Sequence, residues 1–320
     1  MPNDLLLALD FGGTKLSAAM TRPGRQTWLA HHRAFTPPTA DGPAEYAAML
    51  AMVRQLIVET SPPTAIGVSF GGPVDAPRGI VRLSHHVPRW ENTPLRHNLE
   101  AEFGAPVAVD NDANVAALGE HRFGAGQGYQ HLLYVTVSTG IGGGWIINGT
   151  IYRGATGMAG EIGHTVVNPG GMPCVCGKEG CVEAEACGPA IARRARQMME
   201  ADPHGTQHLL RLTGQTAATL TAEHISRAAE LGNALAQHIL TESAQMLGRG
   251  LGNAINLMNP QQVILGGGVT NAGQLWWQTV RETARRHTLP QTPVKIVPAT
   301  LADDAPLWGA IALADAIQPS

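Results

Sequence analysis

One pattern occurs twice in this chain: an apolar strand, a glycine turn, and a second apolar strand. The first copy runs from Leu5 to Met20 as LLLALDFGGTKLSAAM, and the second covers residues 132–147 as LLYVTVSTGIGGGWII. Each reads as strand, tight turn, strand. Helix-periodic stretches separate and follow them, at residues 43–58, in ANVAALGEHRFG from Ala113, from Glu183 to Glu200, and over much of Glu223 to Asn259, where Pro260 ends the pattern. Short strands are expected at AIGVSFGGPVD, at PVAVDN and at QQVILGGGV, and ADDAPLWGAIALADAI reads as a closing helix. A repeated unit with helices between its copies implies an α/β fold of two similar halves facing a cleft. The boundary is expected inside the helix at 113–122. That gives an N-terminal α/β domain over 1–118, joined by the C-terminal helix at 303–320, and a C-terminal α/β domain over 119–302.

The 320 residues suffice for two such domains. Hydrophobic residues at 44% and charged residues at 15% fit a soluble globular protein. The net charge is −3, with no basic run, so nucleic acid is not an expected partner. The N-terminal MPNDLLLALDFGG lacks a basic leader, and Asp10 breaks its apolar run. No stretch approaches the roughly 18–20 apolar residues that span a bilayer. A cytoplasmic protein without membrane contact is expected, its four cysteines reduced or metal-bound.

The glycine turns are the candidate phosphate sites. Asp10-Phe11-Gly12-Gly13-Thr14-Lys15 is not a P-loop, because a strand follows the turn instead of a helix. Its N–H groups and the Thr14 hydroxyl would hold phosphate oxygens, Asp10 would hold Mg²⁺ through water, and Lys15 would steady a phosphate. An ordinary hairpin is the alternative. In Ser138-Thr139-Gly140-Ile141-Gly142-Gly143-Gly144, four glycines in five positions weaken a strand, and close approach of a ligand explains them better. Gly266-Gly267-Gly268 closes the strand QVIL, the end at which α/β proteins bind ligands, though a plain strand-to-helix turn would look the same.

Val109-Asp110-Asn111-Asp112-Ala113-Asn114 carries alternating polar groups past a strand end. A kinase acting on an alcohol needs one carboxylate to take the hydroxyl proton, and Asp112 is placed for that, with Asn111 beside it. The same residues also suit a helix cap. In GEIGH, Glu161 and His164 share a face if the segment turns helically, and Glu183 follows Cys181 by two residues. These are candidate partners for sugar hydroxyls. Gly72, in the glycine pair after AIGVSF, is a further candidate substrate contact.

Cys174-Val175-Cys176-Gly177-Lys178-Glu179-Gly180-Cys181 places three thiols in eight residues, with His164 upstream. Three Cys and one His form a closed structural zinc set, in a loop at 164–183. Disulfide pairing and scattered core thiols are the alternatives. Cys187 lies outside the spacing and reads as a small buried hydrophobe.

Together LALDFGGTK, VAVDNDANVAALGE, VSTGIGGG, GEIGH, CVCGKEGCVE and VILGGGV resemble the ROK family of repressors, open reading frames and kinases. That family lies within the actin-like ATPase superfamily that includes hexokinases. The resemblance implies two actin-like (ribonuclease H-like) α/β domains flanking a cleft, with a small zinc-binding loop held by His164, Cys174, Cys176 and Cys181. It implies Asp112 as catalytic base, with Asn111, Glu161, His164 and Glu183 as sugar contacts. Gly12, Thr14, Thr139 and Gly140 would serve the phosphates of ATP. Members are usually homodimers or homotetramers. The expected activity is ATP-dependent phosphorylation of a hexose, glucose first, with N-acetylglucosamine, N-acetylmannosamine, mannose or fructose as alternatives; polyphosphate as donor and a non-catalytic sugar sensor also stay open. This chain departs from the family in Ser84-His85-His86-Val87-Pro88-Arg89-Trp90. His86 stands where members often carry Asn, and Arg89 where they carry Gly, so His85 or His86 becomes a candidate sugar contact.

Overall fold

A computed structural model of the protein describes residues 4–13, 15–37, 39–84 and 86–318. Strands β1 (Leu6–Phe11), β2 (Lys15–Thr21) and β3 (Ala30–Phe35) form a meander, followed by α1 (Gly42–Glu59) and β4 (Ala65–Phe70). A ribbon of β5 (Val74–Asp75) and β6 (Ile80–Val81) precedes α2 (Leu95–Phe103), β7 (Val107–Asn111) and α3 (Asp112–Phe123). The second set opens with β8 (Leu132–Val137), β9 (Ile141–Ile147) and β10 (Thr150–Tyr152). Helices α4 (Val182–Ala186), α5 (Gly188–Ala201), α6 (Pro203–Thr213), α7 (Ala222–Glu230) and α8 (Ala234–Met258) come next. The chain closes with β11 (Gln262–Gly266), α9 (Gly273–His287), β12 (Lys295–Pro298) and α10 (Ala305–Ala316).

The strands form two five-stranded sheets, ordered β3-β2-β1-β4-β7 and β10-β9-β8-β11-β12. Each puts its first strand in the middle, the next two on one side and the later two on the other. The chain divides into two compact units. Unit 1 comprises Met1–Tyr134, Gly144–Ala159 and Ala299–Ser320, and unit 2 comprises Val135–Gly143 and Gly160–Pro298.

In unit 1, β1 pairs antiparallel with β2 and parallel with β4, which pairs parallel with β7. Strand periodicity then sorts the side chains to two faces. Leu7, Leu9, Phe11, Ile66, Val68 and Phe70 join one core with residues of α1 and α2. Leu6, Ala8 and Ala65 join another with α10. Every residue of β4 is buried, as a strand covered on both faces requires.

Glycines let α10 approach closely. A methyl on Gly67 would stand 1.8 Å from the Ala310 carbonyl oxygen, and one on Gly309 would stand 1.7 Å from the Val115 carbonyl oxygen of α3. The fully buried Glu120 of α3 ties down the segment before α10. Its carboxylate accepts the N–H groups of Thr300 at 3.0 Å and Leu301 at 2.8 Å.

The periodic stretch Glu183–Glu200 is not one helix. Cys187 is extended (φ −72°, ψ 166°), and α4 ends before it. Pro189 has no N–H for the Glu185 carbonyl, and its ring would clash there in a continuous helix. Arg194 Nη1 takes that carbonyl instead, at 2.9 Å. The later stretch breaks at Gly232, whose φ is +84°, and Asn233 caps α8. Among the described residues no helix is long and apolar enough to cross a membrane.

The α3–α10 crossing has no room for a side chain at its glycine. Gly309→Ala is expected to cost about 1–3 kcal/mol through overpacking. Chemical denaturation measures it, and an unchanged midpoint would show that the crossing relaxes freely.

Candidate active site and metal centre

The first N–H groups of a helix need acceptors from outside its own ladder. Asn111, the last residue of β7, supplies one to α3. Its Oδ1 accepts the N–H groups of Ala113 at 3.0 Å and Asn114 at 3.4 Å. Its Nδ2 donates to the Gly72 carbonyl at 3.1 Å and to Asp112 Oδ1 at 2.9 Å. The Ala113 N–H also donates to Asp112 Oδ1 at 2.8 Å. Asn111 is therefore the helix cap, and Asp112 sits partly exposed in the first turn with its carboxylate oriented. Beneath them lies the buried Asp110. Its oxygens accept from Arg153 Nε at 2.7 Å, Asn114 Nδ2 at 3.1 Å and the Asn111 N–H at 2.8 Å. Arg153 and Asn114 escape the sequence reading. The available signal is the inward alternation of Asp110 in PVAVDN, since a buried carboxylate needs a cationic partner.

The first glycine turn closes through the Gly12 N–H, which donates to the Lys15 carbonyl at 3.0 Å. Asp10, the residue before the end of β1, is half-buried, and Ser69 Oγ donates to its Oδ1 at 2.7 Å. Burial, with a smaller contribution from the Asp112 charge, raises the Asp10 carboxyl to about 7 against the pull of Ser69 and Arg33. An ionised Asp10 is thus short of positive charge, which fits a cation site. Lys15 is largely exposed, with Nζ 3.7 Å from Asp303 Oδ2. Thr14 and His85 lie outside the described residues.

His86 covers the same turn. A methyl on Gly13 would stand 2.5 Å from His86 Cδ2. Trp90 anchors this segment: it is buried, donates Nε1 to Glu45 Oε2 at 2.7 Å, and meets the rings of Phe11 and Phe70 edge-on. Arg89 adopts φ +69°, a left-handed conformation natural to Gly, and Nη1 pairs with Asp41 Oδ2 at 2.7 Å.

Unit 2 carries the second turn and a cavity of about 1010 Å³. Thr139, Gly188, Thr221, Arg227, Gly268 and Asn271 are among its lining residues. The glycine triplet divides its roles. Gly266 ends β11, and Gly267 has φ +87°, with the Val137 carbonyl oxygen only 2.5 Å from where a Cβ would lie. Gly268 opens onto the cavity. Thr221 and Arg227 were not singled out from the sequence; Thr221 caps α7 in a capping box, the one local sign of its position. Glu183 does not stand free, because its Oε2 accepts the Ile141 N–H at 2.8 Å.

His164, Cys174, Cys176 and Cys181 converge, their ligand atoms all within 4.8 Å of one another. His164 Nδ1 lies 3.5 Å from Cys174 Sγ, and Cys176 Sγ lies 3.7 Å from Cys181 Sγ. Sulfurs on a tetrahedral zinc stand about 3.8 Å apart, so the set fits that ion. Burial and the neighbouring thiols push the Cys181 thiol up to about 12, so a thiolate there calls for a cation beside it. His164 Nε2 points instead to the exposed Glu161, with Oε2 at 4.0 Å. The loop is braced by the buried Glu185, which the sequence reading passed over. Its Oε1 accepts from Asn168 Nδ2 at 3.0 Å and the Met172 N–H at 2.8 Å, while Arg194 pairs with its other oxygen.

The raised Asp10 carboxyl sets a pH dependence. Its folded value of about 7 lies above the unfolded 3.8, so the folded state holds the extra proton between them. Stability therefore falls as pH rises through this window and stays reduced above it. Asp10→Asn removes that penalty. In magnesium-free buffer the variant should gain about 2 °C or more in Tm at pH 8 and less at pH 4. Equal gains at both pH values in calorimetry would contradict the assignment.

Comparison with known proteins places the chain. It is 35% identical to the glucokinase of Streptomyces coelicolor over 316 residues, 97% of each chain. It is 36% identical to a ROK family glucokinase from Streptomyces griseus, crystallised with glucose and AMPPNP. That match has a TM-score of 0.80 and covers 97% of this chain and 99% of that one. It is also 32% identical to the xylose repressor of Caldicellulosiruptor bescii over 250 residues, 78% of this chain and 61% of that protein. The family model for ROK proteins matches residues 6–317. The chain belongs to the ROK family.

Proposed function

We propose that the protein is an ATP-dependent sugar kinase that phosphorylates a hexose hydroxyl, with glucose as the preferred acceptor. The observation that carries this reading is the near full-length similarity to a glucokinase crystallised with glucose and AMPPNP. The substrate residues are assigned from the family motifs. Asp112 takes the hydroxyl proton, oriented by Asn111 and the Ala113 N–H. Asn111, Gly72, Glu161, His164, Glu183 and His86 are the groups assigned to the sugar. Gly12, Gly13, Thr14, Lys15, Thr139 and Gly140 serve the phosphates, and Gly266–Gly268 border the nucleotide cavity. Asp10 would hold Mg²⁺, which when bound would neutralise charge on the phosphates. His164, Cys174, Cys176 and Cys181 would hold a structural zinc, which would order the loop leading from Glu161 to Glu183. We assign a cytoplasmic location and a homodimeric or homotetrameric assembly. We read the chain as two actin-like α/β domains.

The xylose repressor relative supports a second reading, a sugar sensor without chemistry. A sensor needs neither the base nor a cation-binding carboxylate, so the presence of Asp112 and Asp10 favours the kinase.

An ADP-release assay with Mg-ATP against glucose, mannose, fructose, allose, N-acetylglucosamine and N-acetylmannosamine separates the two. Glucose should give the highest kcat/KM, whereas no turnover on any sugar by zinc-loaded, folded protein would favour the sensor. Asp112→Asn should lower kcat by about 10²–10⁴-fold while sugar affinity changes little. A variant with near-native kcat would remove Asp112 from its role.

Purified protein should contain about one zinc per chain. Chelation should lower both Tm and sugar affinity, and unchanged behaviour after removal verified by metal analysis would refute a structural zinc.

A further inference from the structure

Glu183 stands at the start of α4, two residues after Cys181. Its Oε2 accepts the N–H of Ile141, the first residue of β9, at 2.8 Å. Gly140 leaves room for that carboxylate, since a methyl there would stand 2.7 Å from Glu183 Oε2. The opposite end of the turn is held from the same stretch of chain. The Gly188 N–H donates to the Ser138 carbonyl at 2.8 Å. Within the turn the Ser138 N–H donates to the Gly140 carbonyl at 2.9 Å. Residues 183–188 are themselves tied together, because the Cys187 N–H donates to the Glu183 carbonyl at 3.2 Å.

A turn this rich in glycine has many accessible backbone states and few side chains to pack it. Its shape must come from outside, and Glu183 and Gly188 provide it at the two ends. Thr139 lies between those ends, and both Thr139 and Gly188 line the cavity. A carboxylate accepting a backbone N–H makes a charge-assisted bond, stronger than a neutral one.

We propose that Glu183 is a positioning residue for the nucleotide turn, holding Ser138–Ile141 in the form that receives phosphates before any sugar is present. The proposal rests on reading the cavity as a nucleotide site, and it is independent of which sugar is used. It gives Glu183 a task that its assignment to a sugar hydroxyl does not contain. Oε2 is the oxygen that engages the turn.

The test is calorimetric titration of the full chain with MgADP in the absence of sugar, for the native protein, Glu183→Ala and Glu183→Gln. Loss of one charge-assisted bond should weaken the alanine variant about tenfold. The glutamine variant keeps an oxygen acceptor and should stay within about threefold of native. Native affinity in Glu183→Ala overturns the proposal. Glutamine and alanine variants weakened alike also overturn it, because the acceptor would then not matter. If circular dichroism shows Glu183→Ala unfolded, Glu183→Asp takes its place, being one methylene too short to reach Ile141, with the same two outcomes. A native protein that binds MgADP yet phosphorylates no sugar would refute the kinase reading alone. A working kinase with native MgADP affinity in the alanine variant would refute the present proposal alone. A native protein that binds no MgADP overturns both.

Discussion

The ion pair between Asp110 and Arg153 underlies the candidate active site of unit 1. Asp110 is buried, and a carboxylate taken out of water is costly unless charge and hydrogen bonds replace the water. Arg153 Nε supplies the charge at 2.7 Å, and Asn114 and the Asn111 N–H complete the shell. That shell fixes the end of β7 and the first turn of α3 together. Asn111 is then held as the cap, and its amide can reach both the Gly72 carbonyl and Asp112. The Asn111 amide and the Ala113 N–H orient the Asp112 carboxylate, while Arg153 pairs with Asp110.

In unit 2 the same problem is solved differently. Glycine-rich backbone lets a ligand approach closely but supplies little shape of its own. The Ser138–Ile141 turn is gripped at its ends by a side chain and a backbone N–H of one short segment. That segment lies just after Cys181, the N-cap of α4, so the loop that gathers three thiols and an imidazole also sets where α4 and Glu183 begin the turn's support. Glu185 adds a second brace by tying Asn168 and Met172 to Arg194. The metal-type cluster and the turn are thus connected through a few residues of chain and the Glu183 carboxylate.

Much of this was legible in the residue order. The strand–turn–strand repeats of β1–β2 and β8–β9 announce themselves through apolar runs broken by glycine, because both signals are local. The cluster of His164, Cys174, Cys176 and Cys181 was legible for the same reason: three of its members fall within eight residues. The break at Cys187 was not read, although Pro189 carries the cause, since helical periodicity continues across it. The family resemblance to ROK proteins could be stated from the motifs because they occur in order over most of the chain.

Residue order alone therefore settles what is local: the repeated α/β units, the turns and caps, and the set of thiols able to take a metal. Contacts between distant residues required the folded chain. Nothing near Asp110 in sequence names Arg153 as its partner, 43 residues away. The same holds for Glu183 and the Ile141 N–H, 42 residues apart, and for His86 against Gly13. Those pairings depend on sheet register and helix packing, where a shift of one strand residue would turn a side chain to the opposite face. Which carboxylate is buried with a cation, which accepts the N–H of a turn and which stands in the first turn of α3 follows from that register.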